Sequence, residues 1–417
     1  AINNTTLQLT PKGGEHTKLL TQQVIKNTNM KHLYSSIYIE NGISRTELAR
    51  RTHLSKTTVS TLVDELIERD FIADEGASHS DCVGRKPNCL KARTNQHFVI
   101  VISWVDNIAE AHVVDVAGTS VYSTRLTLKK GESYISLSQT CVYKDILSKY
   151  DPQRILGICV VVSAMIDAVR NEIYSTTLSL GPGGSGNLIH DLSFAFPEYP
   201  VALLEDTACY AYAEKIYTQV REKNFAFINF GRGIGATIFI EGNMLGKASG
   251  SVTQFGHYSV NPRGPLCICG NHGCLEAMFS ESQIKARLEE SGKTSCLLGR
   301  SAITFEDLGK AALYKDPAAI HTLQKMSRDL ALALSNLICI VNPELIILGG
   351  KGQHLGTLFL EEVQHSLRDV GFRRMVDFSG VRYSQLQSDA YLNGAMKYFF
   401  DTYYSFLEPR PRAFYIG

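Results

Sequence analysis

Apolar positions along the chain follow two rhythms. Up to about residue 95 they recur at helical spacing; beyond it they gather into short runs of the kind strands give. Leu33, Tyr34, Ile37 and Tyr38 share one face of a helix over Met30–Glu40, and Gly42 follows as a stop signal. Ser44 and Glu47 stand at the spacing of a capping box, opening a short helix that buries Leu48 and Ala49. Ser55 caps the next helix, whose stripe is Val59, Leu62, Val63, Leu66 and Ile67. Two strand-like segments follow, Phe71–Ala73 and Cys89–Lys91, with Val83-Gly84-Arg85-Lys86-Pro87 between them.

A capped helix pair followed by a hairpin reads as a winged helix-turn-helix. The outward face of its second helix offers Lys56, Thr57, Thr58, Ser60 and Thr61, with Arg45 on the helix before. Small donors, methyls and cations suit base edges and phosphates. Arg85 and Lys86 sit on a flat, extended tip that fits an A·T-rich minor groove. A small packing domain with a solvated basic loop is the plainer alternative.

The body alternates strands and helices. Phe98–Ser103, Ala109–Val116 and Val121–Leu128 read as strands, then Gly131–Tyr150 as a helix. Ile155–Ser163 and Val201–Leu204 are nearly continuous apolar runs, as in strands buried on both faces. Ala208–Gln219 reads as a helix, and Phe225–Phe230 and Ala236–Glu241 as strands around a glycine turn. The chain past residue 280 reads as mostly helical until the strand Leu345–Leu348. The expected class is α/β: a winged head on a two-lobed body. The expected divisions are a head over 1–95, a first lobe over 96–210 completed by a helix in 388–417, and a second lobe over 211–387 that carries the dimerisation surface. Gly76–Asp81 reads as a linker and Leu180–Asn187 as a flexible loop.

Composition narrows the partners. The 417 residues are 44% hydrophobic and 20% charged, with a net charge of +1, so a uniformly basic nucleic-acid coat is excluded. The charge is uneven: residues 1–95 hold 13 Lys and Arg against 10 Asp and Glu. No apolar run of about 18 residues predicts a membrane span, and no secretory leader is visible. The expectation is a cytoplasmic chain with ten reduced cysteines and no membrane insertion.

The sharpest chemistry is Gly256-His257, nine residues, then Cys267-Ile268-Cys269-Gly270-Asn271-His272-Gly273-Cys274-Leu275-Glu276. One imidazole and three thiols fit tetrahedral zinc, so His257, Cys267, Cys269 and Cys274 form the expected ligand set for one Zn²⁺ per chain. Four protein ligands leave no open position, which makes the site structural. His272 ranks below His257 because it lies inside the short cysteine loop.

At these residues the chain resembles the ROK family (repressors, open reading frames and kinases), whose bodies are of the RNase H-like, sugar-kinase type. The resemblance runs from about Thr17 to the end. It includes Gly231-Arg232-Gly233-Ile234-Gly235, the Asn342–Gly350 segment and Asn393-Gly394-Ala395. The winged head with its Gly-Arg-Lys-Pro tip is similar to the repressor branch, of the Mlc, NagC and XylR type. That resemblance implies a sequence-specific regulator of carbohydrate uptake or metabolism genes. It implies operator DNA as partner, a sugar-like or protein effector, and a homodimer, with a tetramer as the alternative.

A ROK kinase carries a glycine-rich phosphate turn after its first strand. Here the matching Ile102–Asn107 has no glycine, and Trp104 is expected to obstruct the approach. Gly231–Gly235 keeps the glycines of the second phosphate loop, though a plain tight hairpin explains them equally well. Asp206 matches the kinases' catalytic base, but the flanking Asn positions are changed, and capping the following helix explains it equally. Gln254, His257 and Glu276 match positions that contact sugar hydroxyls. Asp206, Gln254, His257 and Glu276 are therefore the expected effector set, and the protein is expected not to be an enzyme. A sugar kinase with an appended DNA-binding head is the alternative.

Overall fold

In a computed structural model the chain is described over residues 14–77, 88–167, 172–175, 178, 188–231, 233–245, 253–407 and 413–417. The residues divide into two compact units. The first holds the head, residues up to Val161, His190–Leu204 and Ala395–Ile416; the second holds Val162–Ile189 and Glu205–Gly394. The head thus forms one body with the strands that follow it, and the segment after Val161 groups with the second unit.

The head begins with α1 (Gly14–Glu40), which starts well before the expected Met30. Helix α2 (Arg45–Thr52) and helix α3 (Lys56–Glu68) follow, then strands β1 (Ile72–Ala77) and β2 (Asn88–Ala92). Ser44 Oγ accepts the N–H of Glu47 at 3.2 Å, and Ser55 Oγ accepts that of Thr58 at 3.0 Å, so both caps form as the sequence indicates. The capping box is only half made. The Glu47 carboxylate turns to Arg50 and Arg51, because two guanidinium groups one turn away outcompete a single backbone N–H. Val59, Leu62, Val63 and Leu66 are buried, while Ile67 is half-buried. The wing pairs antiparallel from Ile72 against Ala92. Gly76 and Ala77, expected in a linker, lie in β1, Gly76 with φ +77°; the remainder of that linker (78–81), the wing tip with Arg85 and Lys86, and the loop Leu180–Asn187 lie outside the described residues.

The first unit's sheet has six strands. Strands β3 (Phe98–Val105), β4 (Ile108–Asp115) and β5 (Ser120–Thr127) form an antiparallel meander at one edge. Beyond β3 lie Ile155–Val162, Val201–Glu205 and, at the far edge, Phe414–Ile416. Ile155–Val162 is buried at every position, as its unbroken apolar run requires. The segment expected as one helix divides: Tyr134–Gln139 is α-helical, and Thr140–Ile146 continues as a wider π turn that buries Cys141, Val142 and Ile146.

The second unit is built on a five-stranded sheet in the order Asn243–Met244, Ile234–Ile240, Phe225–Phe230, Leu345–Gly350, Gly380–Tyr383. Phe225–Phe230 pairs antiparallel with Ile234–Ile240 and parallel with Leu345–Gly350. The helix Pro317–Val341 supplies much of this unit's core. It starts sharply because Asp316 caps Ala318 and Ala319 while Pro317 occupies the first turn, and it ends at Asn342 with φ +50°. Among the described residues no helix is long and apolar enough to cross a membrane.

Candidate functional site

On the head, Lys56, Thr57 and Thr61 are exposed along one side of α3, and Thr58 and Ser60 are half-buried. Thr58 Oγ1 lies 2.8 Å from the capping Ser55 Oγ, and Thr61 Oγ1 donates to the Thr57 carbonyl at 3.1 Å. Arg45 is held inside the head: its Nη1 donates to Ser60 Oγ at 3.0 Å and to Asp64 Oδ1 at 2.7 Å, and its Nη2 is 3.7 Å from Asp74. It ties α2 to α3 and to the wing strand β1.

In the second unit, the turn Phe255–His257 and the segment 265–275 bring the four expected metal ligands together. One ligand atom from each of His257, Cys267, Cys269 and Cys274 lies within 4.8 Å of every other. His257 Nδ1 is 3.5 Å from Cys267 Sγ, and Cys269 Sγ is 3.6 Å from Cys274 Sγ. Sulfurs bonded at about 2.3 Å to one tetrahedral ion stand about 3.8 Å apart, so this donor set fits such an ion with little movement. The loop converges through two glycines with positive φ, Gly270 at +87° and Gly273 at +67°; a Cβ on Gly273 would meet the Asn261 carbonyl oxygen at 1.6 Å. His272 is exposed, and its Nδ1 faces the Gly264 carbonyl at 3.1 Å, apart from the cluster. Since Nδ1 of His257 is turned to the thiols, Nε2 is the nitrogen left for another partner.

Around the start of the strand Ile234–Ile240 three glycines lie in close approach to Glu276, Thr207 and the strand itself. A Cβ on Gly233 would strike the Glu276 carboxylate, one on Gly235 would strike Thr207, and one on Gly256 would strike the Ile234 carbonyl. The glycines are therefore required by close approach as well as by the hairpin, in which Gly231 N–H donates to the Gly233 carbonyl at 2.9 Å. Arg232 lies outside the described residues. Glu276 Oε2 accepts the Ile234 N–H at 3.1 Å. Asp206 begins its helix one residue after the cap position, which Glu205 fills, and Asp206 Oδ1 accepts the Thr207 N–H at 2.6 Å. Burial raises the Asp206 carboxyl above its usual range, against hydrogen bonds from Thr207 and Ser163 that lower it. Gln254 is exposed at the head of the Phe255–His257 turn, where its carbonyl accepts the His257 N–H at 3.0 Å.

Residues 108–401 match the ROK family, and residues 35–79 match the MarR family. The chain belongs to the ROK family. It is 25% identical to the xylose repressor of Caldicellulosiruptor bescii over 398 residues, 92% of this chain and 96% of the relative. It is 21% identical to the DNA-binding transcriptional repressor Mlc of Escherichia coli, over 89% of this chain and 92% of that one. A solved ROK family transcriptional regulator, described as a homologue of the E. coli MLC protein, superposes with a TM-score of 0.75 at 22% identity over 89% of this chain and 95% of that one. The winged head and the two-lobed sugar-kinase-like ROK body are thereby shown as the fold.

The ROK frame also corrects one expectation. The Trp104 indole is fully buried in the first unit: it stacks on Tyr134 at 5.3 Å and donates to Ser138 Oγ at 2.9 Å. It fills the core and does not itself stand in front of the turn. The turn between β3 and β4 is made by Asp106 (φ +54°) and Asn107 (φ +61°), the two-residue form that matches strand twist. The Asn107 N–H donates to the Tyr134 hydroxyl at 3.1 Å.

Sequence reasoning passed over two residues here. Asn229, buried within an otherwise apolar strand, donates to Thr207 Oγ1 at 3.4 Å. A lone amide inside Phe-Ala-Phe-Ile-Asn-Phe was the available signal. Glu205 has a carboxylate oxygen, Oε2, that is shut off from water with no hydrogen-bond partner among the described residues. Burial first, then the neighbouring Asp206 carboxylate, pushes the Glu205 carboxyl well above the usual range.

Proposed function

We propose that this protein is a sequence-specific DNA-binding repressor of carbohydrate uptake or metabolism genes, controlled by an effector that its ROK body binds. The observation that carries the reading is the alignment with a xylose repressor along 92% of the chain, head included. Lys56, Thr57, Thr58, Ser60 and Thr61 meet the major groove, Arg45 acts through the helix pair it braces, and Arg85 and Lys86 enter the minor groove from the wing. A homodimer reads a palindromic operator, so two-fold symmetry in the protein is matched in the DNA; a tetramer is the larger alternative. A regulator of this kind works in the cytoplasm.

His257, Cys267, Cys269 and Cys274 hold one zinc ion, which fixes the knuckle and, through it, the orientation of His257 and Glu276. Asp206, Gln254, His257 and Glu276 recognise the effector, a sugar-like polyol or a regulatory protein. Effector binding shifts the balance between DNA-binding and released states, for which a few kcal/mol of differential affinity is enough.

The kinase alternative rests on the retained Asp206. Against it stands the N–H of Ile234 in the retained glycine hairpin, which Glu276 already occupies. Selection of genomic DNA fragments by the purified protein tests the proposal. Enrichment of one palindromic motif supports it, and enrichment of no motif with or without added pentoses and hexoses overturns it.

A further inference from the structure

Helix α3 carries Thr57, Thr58, Ser60 and Thr61 in its first two turns, and most of these hydroxyls are already engaged inside the head. Thr58 Oγ1 lies 2.8 Å from the capping Ser55 Oγ. Ser60 Oγ accepts Arg45 Nη1 at 3.0 Å and stands 3.5 Å from Asp64 Oδ2. Thr61 Oγ1 donates to the Thr57 carbonyl at 3.1 Å, one turn back along its own helix. The Asp64 carboxylate, which could accept from a cytosine amino group, is held by Arg45 at 2.7 Å. Thr57 Oγ1 is the hydroxyl of this helix left without a partner among the described residues.

Such a face has little hydrogen-bonding code to read with. No Arg, Asn or Gln stands on α3, so the helix offers no bidentate pair to guanine or adenine. Lys56 brings a point charge that suits a phosphate. Thr57 and Thr61 are both exposed and stand four residues apart, on one side of the helix. The Thr61 hydroxyl is taken up by the helix backbone, so what this exposed side chain offers a partner is its methyl. The apolar group that base edges present in the major groove is the C5 methyl of thymine.

We propose that Thr61 is the specificity-determining residue of the recognition helix, and that it packs its methyl on the C5 methyl of one thymine in each operator half-site. Thr57 gives a hydrogen bond to a neighbouring base edge. Thr58 and Ser60 meet the groove with hydroxyls already committed, and so add contact without a further code. The inference rests on the repressor reading and goes beyond it, for it names the chemical group that the head selects. That group is a methyl, told from its absence by packing and not by hydrogen bonding.

The test uses the full-length protein and the fragment it enriches from genomic DNA, with each thymine of the motif replaced in turn by deoxyuridine. That change removes the C5 methyl and leaves every hydrogen-bonding group in place. At one symmetric pair of positions it weakens binding about fourfold for each methyl lost. Thr61→Ser, which keeps the hydroxyl and drops the methyl, binds thymine and uracil at those positions alike. Thr61→Val, which keeps a methyl there, retains the preference for thymine. A change of DNA shape caused by uracil would weaken the parent and Thr61→Ser equally. No position at which uracil weakens binding, or a preference for thymine that survives in Thr61→Ser, overturns the inference and leaves the repressor reading standing. Equal affinity for the enriched and a scrambled fragment overturns both.

Discussion

Glu276 lays its carboxylate on the N–H of Ile234, 3.1 Å away and directly against Gly233. In a kinase of this fold the glycines would bring backbone N–H groups to a phosphate. Here a side-chain carboxylate accepts one of those N–H groups, and Glu276 stands two residues after Cys274 of the candidate metal cluster. The arrangement makes Glu276 a strut between the glycine hairpin and the cysteine loop.

The first prediction follows from that strut. Incubated with ATP, magnesium and a broad panel of sugars, the protein releases no ADP above background. Turnover that disappears in Asp206→Asn would show that the loop still accepts phosphate.

Cys269 is exposed, so its replacement by Ser removes little packing. Loss of metal is then the main effect of Cys269→Ser. Zinc content measured by atomic emission falls from one per chain to near zero, and the melting temperature drops by several degrees. Full metal retention with unchanged melting contradicts the ligand assignment.

Glu205 predicts a dependence on pH. Its folded carboxyl lies well above the ordinary value of 4.5, so the folded state holds the proton more tightly than the unfolded chain does. The stability this contributes is complete below about pH 4.5 and is lost as pH rises through the raised value. Glu205→Gln carries no such loss. Its melting temperature, compared with the parent, is nearly equal at pH 4.5 and higher by a few degrees at pH 8. A difference that does not change with pH would count against the buried, protonated carboxyl.

Glu214 is fully buried in the second unit and is held by Arg382 Nη1 at 2.7 Å and Ser384 Oγ at 2.6 Å. Arg382→Met leaves that carboxylate unpaired and costs about 3 kcal/mol, read from the denaturation midpoint. Adding Glu214→Gln to Arg382→Met recovers a good part of the loss; no recovery would mean that Arg382 acts through packing alone.

Much of this was legible in the sequence because the signals are local. Ser44 and Ser55 stand where caps must stand, and the apolar run Ile155–Val162 can satisfy itself only inside a sheet. The cysteine spacing brought its own ligands together, and His257 joined them across nine residues because a glycine turn sits on each side. The partners of Arg45 and Glu276 were not legible. Arg45 has the charge of a DNA contact, and only the fold brings Asp64 and Asp74 to it from α3 and the wing. Glu214 and Arg382 are 168 residues apart, and nothing along the chain joins them. The short strands Met165–Asp167, Gly380–Tyr383 and Phe414–Ile416 carry too few positions for a period to show. Trp104 was misread because alternation along β3 decides which way a side chain faces, and a local motif does not.

The head's role is tested most directly by its affinity for DNA. The affinity for the fragment enriched from genomic DNA, compared with a scrambled fragment at about 150 mM salt, should be at least ~10³-fold tighter. Arg85→Ala with Lys86→Ala should flatten the dependence of log affinity on log salt by about two ions, and Lys56→Ala by about one. Equal affinity for the two fragments would contradict the account, for it would leave a winged head that holds DNA by charge alone and reads no sequence.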